Sequence, residues 1–132
     1  MATIFTKIIR GEIPCYKVAE SDKYFAFLDI NPLMAGHTLV VPKKETDYIF
    51  DLGDDDFSGL MLFAKKVAFG IEKAIPCARI GVAVVGLEVP HAHIHLVPIN
   101  TMSDLNFRNP KLKMTPEEFE KIASRISEKV VL

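Results

Sequence analysis

The chain of 132 residues contains no tryptophan and only two cysteines, Cys15 and Cys77. These two lie far apart and in no Cys-x-x-Cys pattern, so no disulfide framework is expected, and a reducing cytoplasm fits. Each reads as a small, partly buried apolar residue. An excess of one charge is also missing: 16 basic and 17 acidic residues give a formal net charge of -1. That balance excludes a global basic field of the kind that draws a protein to nucleic acid or to an anionic membrane. Only local clusters, Lys43-Lys44 and the pair Lys111 and Lys113, offer concentrated positive charge. No apolar run approaches the length of a membrane span. The first residues, Met1 to Thr6, lack the charged start and apolar core of a signal peptide. Repeats, low-complexity tracts and linkers are absent. What remains is 49% hydrophobic and 25% charged, the composition of one globular domain over residues 1–132.

Apolar spacing and turn residues divide that domain into elements. Thr3 reads as the N-cap of a short helix whose stripe is Ile4, Phe5, Ile8 and Ile9, and Gly11 stops it. Pro14 opens extended structure. Strands are expected over Tyr16–Glu20 and Tyr24–Ile30, split by Ser21-Asp22, and a third over His37–Val41, closed by Pro42. The acidic stretch Asp51–Asp56 suits a helix start. From there Phe57, Leu60, Ala64, Val67, Ala68, Ile71 and Ile75 recur at three- and four-residue steps, which marks the main amphipathic helix. Strands over Ile80–Val85 and His93–Ile99 follow. A loop of about a dozen residues, long for a compact domain, leads to a last helix that opens on the capping box Thr115-Pro116-Glu117-Glu118. Helix, three strands, helix, two strands and helix, with short turns between neighbouring strands, make an α+β domain with a mostly antiparallel five-stranded sheet.

Three of the four histidines stand at 91, 93 and 95. In a strand they would project from one face, with Ala92, Ile94 and Leu96 on the other. Such a row is consistent with a solvated polar face, with a metal site, with nucleophilic and electrostatic catalysis at phosphorus, or with nucleotide binding without turnover. Imidazoles are an unusual choice for a plain polar face, where threonine or lysine would serve. A neutral imidazole can attack phosphorus while its neighbours hydrogen-bond and balance developing charge.

The run His91-Ala92-His93-Ile94-His95-Leu96-Val97 resembles the signature of the histidine triad (HIT) superfamily, H-x-H-x-H followed by apolar residues. Ile4–Pro14 is similar to the opening segment of that family, and Phe25–Pro32 and Gly36–Lys43 are similar to its next two blocks. The likeness extends from about residue 3 to about residue 100, with a helical tail from about 101 to 132. It implies a HIT-like fold of the phosphoramidase-like branch and a nucleotide hydrolase or transferase. The substrates implied are purine nucleotidyl phosphoramidates or related mononucleotide esters, attacked at the α-phosphorus. It implies that His93 is the nucleophile that becomes covalently nucleotidylated, that His91 and His95 orient it and contact phosphate, and that His37 completes the cluster. It implies that Asp29 accepts hydrogen bonds from the ribose hydroxyls and that Phe5, Ile8, Phe27, Ile30 and Leu39 surround the base. Gly86 and Glu88 fall beside the phosphate. A homodimer is implied as well, and Ile80–Val85, apolar on both faces, agrees with it, as do Met61, Leu62 and Phe63 beyond the main helical stripe. The alternatives are a nucleotide-binding regulatory module and a dinucleoside polyphosphate hydrolase.

The sequence departs from the family at two places. Many members carry a Cys-x-x-Cys pair near the N-terminus and a histidine after the Pro-Lys pair, which contribute to a zinc site. Here Thr3, Thr6 and Glu45 occupy those positions, so no metal and no cofactor are expected. Before the triad, where the phosphoramidase branch commonly has Gly-Gln-Ser, this chain has Gly86-Leu87-Glu88. A carboxylate there bears on the choice of leaving group.

Overall fold

The computed structural model describes residues 2–132. Its elements follow in the order α1 (Ile4–Ile9), β1 (Lys17–Glu20), β2 (Tyr24–Leu28), β3 (Thr38–Pro42), α2 (Asp54–Ala74), β4 (Arg79–Ala83), β5 (Ile94–Ile99) and α3 (Pro116–Lys129). The strands form one sheet in the order β1-β2-β3-β5-β4 with every neighbouring pair antiparallel. The expected α+β architecture is therefore the one observed.

Capping explains where the helices begin. The Thr3 side chain accepts from the Thr6 amide at the start of α1, and Thr115 and Glu118 close the anticipated capping box at α3, with Pro116 in its first turn. Helix α2 starts after Gly53 without a side-chain cap. Asp54, Asp55 and Asp56 in its first turn place negative charge against the positive end of the helix dipole instead.

Every expected strand shifts at one end or both, three of them by a single residue at an end and two by two residues at the C-terminal end. Tyr24–Ile30 ends at Leu28, because Asp29 and Asn31 leave the ladder for a turn in which the Asn31 amide donates to Asp29 Oδ1 at 2.8 Å. Ile80–Val85 becomes Arg79–Ala83: Val84 and Val85 run past the end of β5 pairing, and Gly86 turns the chain with φ 72°, a conformation that favours glycine. The long loop is not structureless. It contains a short 3-10 turn, Met102–Leu105, capped by Thr101 and Asp104.

The period-two alternation of the strands sorts side chains onto two faces. On one face Val18, Ala26, Leu28, Val40, Ala92, Ile94 and Leu96 meet Leu60, Phe63, Val67 and Ile71 of α2 and Phe119, Ala123 and Ile126 of α3. This is the main core, in which each fully buried large aliphatic or aromatic side chain contributes about 1.5–3 kcal/mol. On the other face Phe5 from α1 meets Phe25, Phe27, Leu39 and Val41, with Ile8, Ile9, Cys15 and Val89 at the edge. The short helix α1 covers part of this second face, and the histidines emerge beside it.

Candidate active site

Residues 89–93 enter the second face as a fixed segment ahead of β5. The Ala92 amide donates to the Thr46 carbonyl at 2.7 Å, and the His91 amide donates to the Val89 carbonyl at 2.8 Å. The strand itself starts at Ile94, so His91 and His93 stand before it rather than within it. The alternation continues nevertheless. Ala92, Ile94 and Leu96 are in the main core, while the rings of His91 and His93 lie edge-on to Phe5 at centroid distances of 5.6 and 5.0 Å. The His93 and His95 rings are 5.0 Å apart, and His37 from the start of β3 reaches His95 at 5.2 Å. All four histidines of the chain thus gather in one place, and all four are buried.

Their hydrogen bonds define their tautomers, because a carbonyl only accepts and a backbone amide only donates. The Leu33 amide donates to His37 Nδ1 at 3.0 Å, so the His37 proton is on Nε2. That Nε2–H donates to His95 Nδ1 at 3.0 Å, so His95 carries its proton on Nε2. His93 Nδ1–H donates to the His91 carbonyl at 2.8 Å, which leaves the lone pair of His93 Nε2 free. His91 Nε2–H donates to the Pro42 carbonyl at 2.7 Å, and its Nδ1 faces the Thr3 hydroxyl at 2.7 Å. Burial, aided by the neighbouring histidine, pushes His37 down to about 3 and His95 down to about 4, and it lowers His91 as well. These imidazoles are neutral near pH 7.

Asp29 lies at the mouth of the cluster. Its Oδ2 is 3.6 Å from His37 Nε2. That distance alone would suggest an ion pair. The His37 proton points to His95 at the shorter distance, and burial keeps the ring neutral, so the contact is one between a carboxylate and a neutral imidazole. Burial raises the Asp29 carboxyl above its ordinary value; the Asn31 amide and the Lys111 charge oppose this, and Glu88 adds to it.

The side chains expected around a base divide into two groups. Phe5, Phe27 and Leu39 are buried together, and Ile8 packs against them. Ile30 stands apart, 64% exposed, on the rim of a separate groove of about 780 Å³ between the start of β1 and α3. That groove contains none of the histidines. Glu88 is exposed on the loop after Gly86.

Sequence reasoning missed Phe107, and it marked Lys111 only as half of a local positive pair with Lys113. The long loop folds back over the cluster, tied by the Leu112 amide to the Pro32 carbonyl at 2.9 Å. The Phe107 ring lies edge-on to His95 at 4.8 Å and to His37 at 6.4 Å. The Lys111 ammonium is tied to the Phe107 and Asn109 carbonyls, and its charge reaches both Asp29 and His37. For Phe107 loop length was the available signal, since an unusually long loop in a compact domain is often functional.

Two sets of side chains invite comparison with a metal site. Asp29, His37 and His95 each offer a ligand atom within 4.8 Å of the others. Their facing atoms are already joined by the His37–His95 hydrogen bond. At the family zinc positions, Thr3 Oγ1 is 2.7 Å from His91 Nδ1 and Thr6 Oγ1 is 2.6 Å from Glu45 Oε1. Ligand atoms around a tetrahedral zinc with bonds near 2.1 Å stand about 3.4 Å apart. Spacing and hydroxyl chemistry both argue against zinc at this second cluster.

An antiparallel α+β sheet that gathers four buried imidazoles beside the Phe5, Phe27 and Leu39 cluster defines a domain built around a histidine cluster. The chain belongs to the HIT domain family, whose model matches residues 10–102. It is 35% identical to the adenosine 5'-monophosphoramidase of Schizosaccharomyces pombe over 98% of this chain and 99% of that one. An uncharacterised HIT-like protein of Borreliella burgdorferi is 35% identical over 94% and 95% of the two chains. Among solved structures, a HIT-like protein involved in cell-cycle regulation from Bartonella henselae superposes with a TM-score of 0.83 at 31% identity, covering 96% of this chain and 95% of that one. Among the described residues no helix is long and apolar enough to cross a membrane.

Proposed function

We propose that the protein hydrolyses purine nucleotidyl phosphoramidates, or closely related mononucleotide esters, through a covalent nucleotidyl-His93 intermediate. The observation that carries this reading is the bond from His93 Nδ1–H to the His91 carbonyl at 2.8 Å. It commits one ring nitrogen and leaves the other, Nε2, as a free nucleophile held in one orientation. The phosphoramidase activity named for the Schizosaccharomyces pombe relative supports the substrate class.

In this reading His93 Nε2 attacks the α-phosphorus and the bond from phosphorus to the leaving nitrogen breaks. The electron pair departs with the amine, which takes up a proton. Positive charge gathers on the His93 ring, and the His91 carbonyl stabilises it through Nδ1–H. Water then attacks the same phosphorus, the bond to His93 breaks, and a nucleoside monophosphate is released. His95 is neutral with its proton on Nε2, which suits it to donate to a phosphate oxygen. Asp29 receives the ribose hydroxyls, while Phe5, Ile8, Phe27 and Leu39 hold the base; Ile30, which faces the separate groove, is not assigned to it. Gly86 and Glu88 flank the phosphate and the leaving group.

A second reading has one specific support. The Lys111 charge, felt at both Asp29 and His37, would favour an anionic leaving group, as in a dinucleoside polyphosphate. Incubation with AMP and GMP phosphoramidates and with dinucleoside polyphosphates, followed by product detection, separates the two. Faster release from the phosphoramidates supports the first reading and preference for the dinucleotides the second. Binding without turnover would mean a regulatory nucleotide-binding module.

We also propose a homodimer in a reducing cytoplasm. Strand β4 is an edge strand with Val82 exposed, and beyond it Val84 and Val85 are exposed too. Met61, Leu62 and Phe69 leave further apolar surface on α2, whereas Phe63, expected with Met61 and Leu62, is buried in the main core. Pairing two copies along this surface would remove it from water. The unpaired thiols of Cys15 and Cys77 suit the compartment. Light scattering should give twice the chain mass at micromolar concentration; a monomer mass would contradict the dimer.

A further inference from the structure

A chain of hydrogen bonds connects the protein surface to the buried ring of His91. It starts at Glu45, which is exposed on the segment after β3. Glu45 Oε1 accepts from the Thr3 amide at 2.8 Å and from the Thr6 hydroxyl at 2.6 Å. Thr3 Oγ1 accepts from the Thr6 amide at 3.1 Å as the cap of α1, and it lies 2.7 Å from His91 Nδ1. His91 Nε2–H is committed to the Pro42 carbonyl, so Nδ1 carries no proton and the Thr3 hydroxyl must be the donor. The contact of 3.2 Å between the two threonine hydroxyls is then left without a proton of its own, since Thr6 gives its proton to Glu45. A parallel tie joins the same two segments through the backbone, where the Ala92 amide meets the Thr46 carbonyl.

The far end of this chain is the nucleophile. The residue whose ring Thr3 holds is the residue whose carbonyl orients His93. Helix α1 reaches His93 by a second route, because Phe5 packs edge-on against both His91 and His93. A shift of the α1 cap therefore moves the carbonyl and the ring that set the His93 tautomer and orientation. The threonine hydroxyls and the hydrogen-bonded spacing described above disfavour zinc here. The same positions instead make a metal-free latch.

We infer that Glu45 is a positioning residue: through Thr6 and Thr3 it latches the cap of α1 to His91 and so fixes the tautomer and orientation of His93. Its kinetic consequence rests on the phosphoramidase reading, whereas its structural consequence does not. Three observables test it.

Glu45→Ala removes the acceptor of two hydrogen bonds, while Glu45→Gln keeps a carbonyl oxygen able to accept both. Turnover of an AMP phosphoramidate by Glu45→Ala should fall about tenfold in kcat with KM changed less than about threefold, and Glu45→Gln should recover most of the loss. Thr3→Val leaves the buried His91 Nδ1 without a donor and should lose at least about tenfold, with Thr3→Ser recovering it. Nitrogen-15 NMR of the imidazoles should show a single Nδ1–H tautomer at His93 in the wild type and a mixture in Glu45→Ala and Thr3→Val. A merely stabilising contact would lower the melting temperature and leave that tautomer alone.

The inference is overturned if both variants keep the single tautomer, or if Gln and Ser recover no more than Ala and Val. It is overturned as well if titration with zinc alone reveals a stoichiometric site that Glu45→Ala abolishes. Should the wild type lack turnover, the phosphoramidase reading fails while the NMR comparison still decides the latch. Should Thr3→Val not fold, the Glu45 pair decides it.

Discussion

The chemistry of this protein depends at the residue scale on which nitrogen of each histidine carries a proton. His37, His93 and His91 are each fixed by one backbone group: the Leu33 amide, the His91 carbonyl and the Pro42 carbonyl. His95 is fixed in turn by His37. Backbone partners cannot be read from a side-chain motif. The sequence therefore identified the four histidines as a group without showing why His93 alone keeps a free, correctly aimed lone pair. Glu88 is the residue whose role the motif leaves most open. It is exposed, and its negative charge adds to the burial that raises Asp29. A carboxylate there should repel anionic leaving groups and favour amines that donate or carry positive charge, with solvent weakening the effect. Glu88→Gln should narrow the difference in kcat/KM between a cationic-amine phosphoramidate and a dinucleoside polyphosphate. Kinetics of both substrates on both proteins measure it, and an unchanged ratio would make Glu88 a bystander.

Among the elements, what was legible is what depends on periodicity and caps. Helix α2 was visible in the three- and four-residue spacing from Phe57 to Ile71, and α3 in its capping box. The strands were legible in number and order but not in length. Their ends are decided by neighbours: β4 stops where β5 no longer pairs, and β2 stops where Asp29 turns toward its own loop. The placement of Phe107 and Lys111 over the cluster was hidden for a similar reason, because a loop without periodicity gives no hint of the surface it folds against. Helix packing gives a test at this scale. A methyl group added at Gly70 of α2 would stand 3.1 Å from the backbone of Val130, just beyond α3. Alanine would gain roughly 1 kcal/mol of helix propensity, but backbone displacement at a packed contact costs about 1–3 kcal/mol. Gly70→Ala should therefore lower thermal stability while leaving kcat for the phosphoramidate unchanged. A rise in melting temperature would show that α3 can move aside freely.

For the whole molecule, gathering four imidazoles in one buried cluster ties folding stability to pH. His37 and His95 are lowered from 6.5 to about 3 and about 4, chiefly by burial, and His91 is lowered too. Near neutral pH neither the folded nor the unfolded chain protonates these rings, and their burial carries no protonation penalty. As pH falls below about 6.5 the unfolded chain takes up protons that the folded cluster refuses, so stability declines, by up to about 1.4 kcal/mol per pH unit for each such histidine. The decline continues until the folded-state values are reached. Carboxylates such as Glu20 and Glu45, which are held below their ordinary values, lose their stabilising effect only at more acidic pH. Urea unfolding at about pH 7 and about pH 5 should show a clear fall in stability across that window. A flat profile would mean that the histidines are not buried as described.

The central claim is that His93 is a covalent nucleophile and that nucleotide binding rests on other groups. His93→Ala tests it by pairing two measurements on one variant, turnover of an AMP phosphoramidate and affinity for AMP. The account predicts that kcat falls by at least about a thousandfold while AMP affinity stays within about threefold of wild type. Retention of more than about a tenth of the wild-type kcat, a barrier change of only about 1.4 kcal/mol, would contradict it.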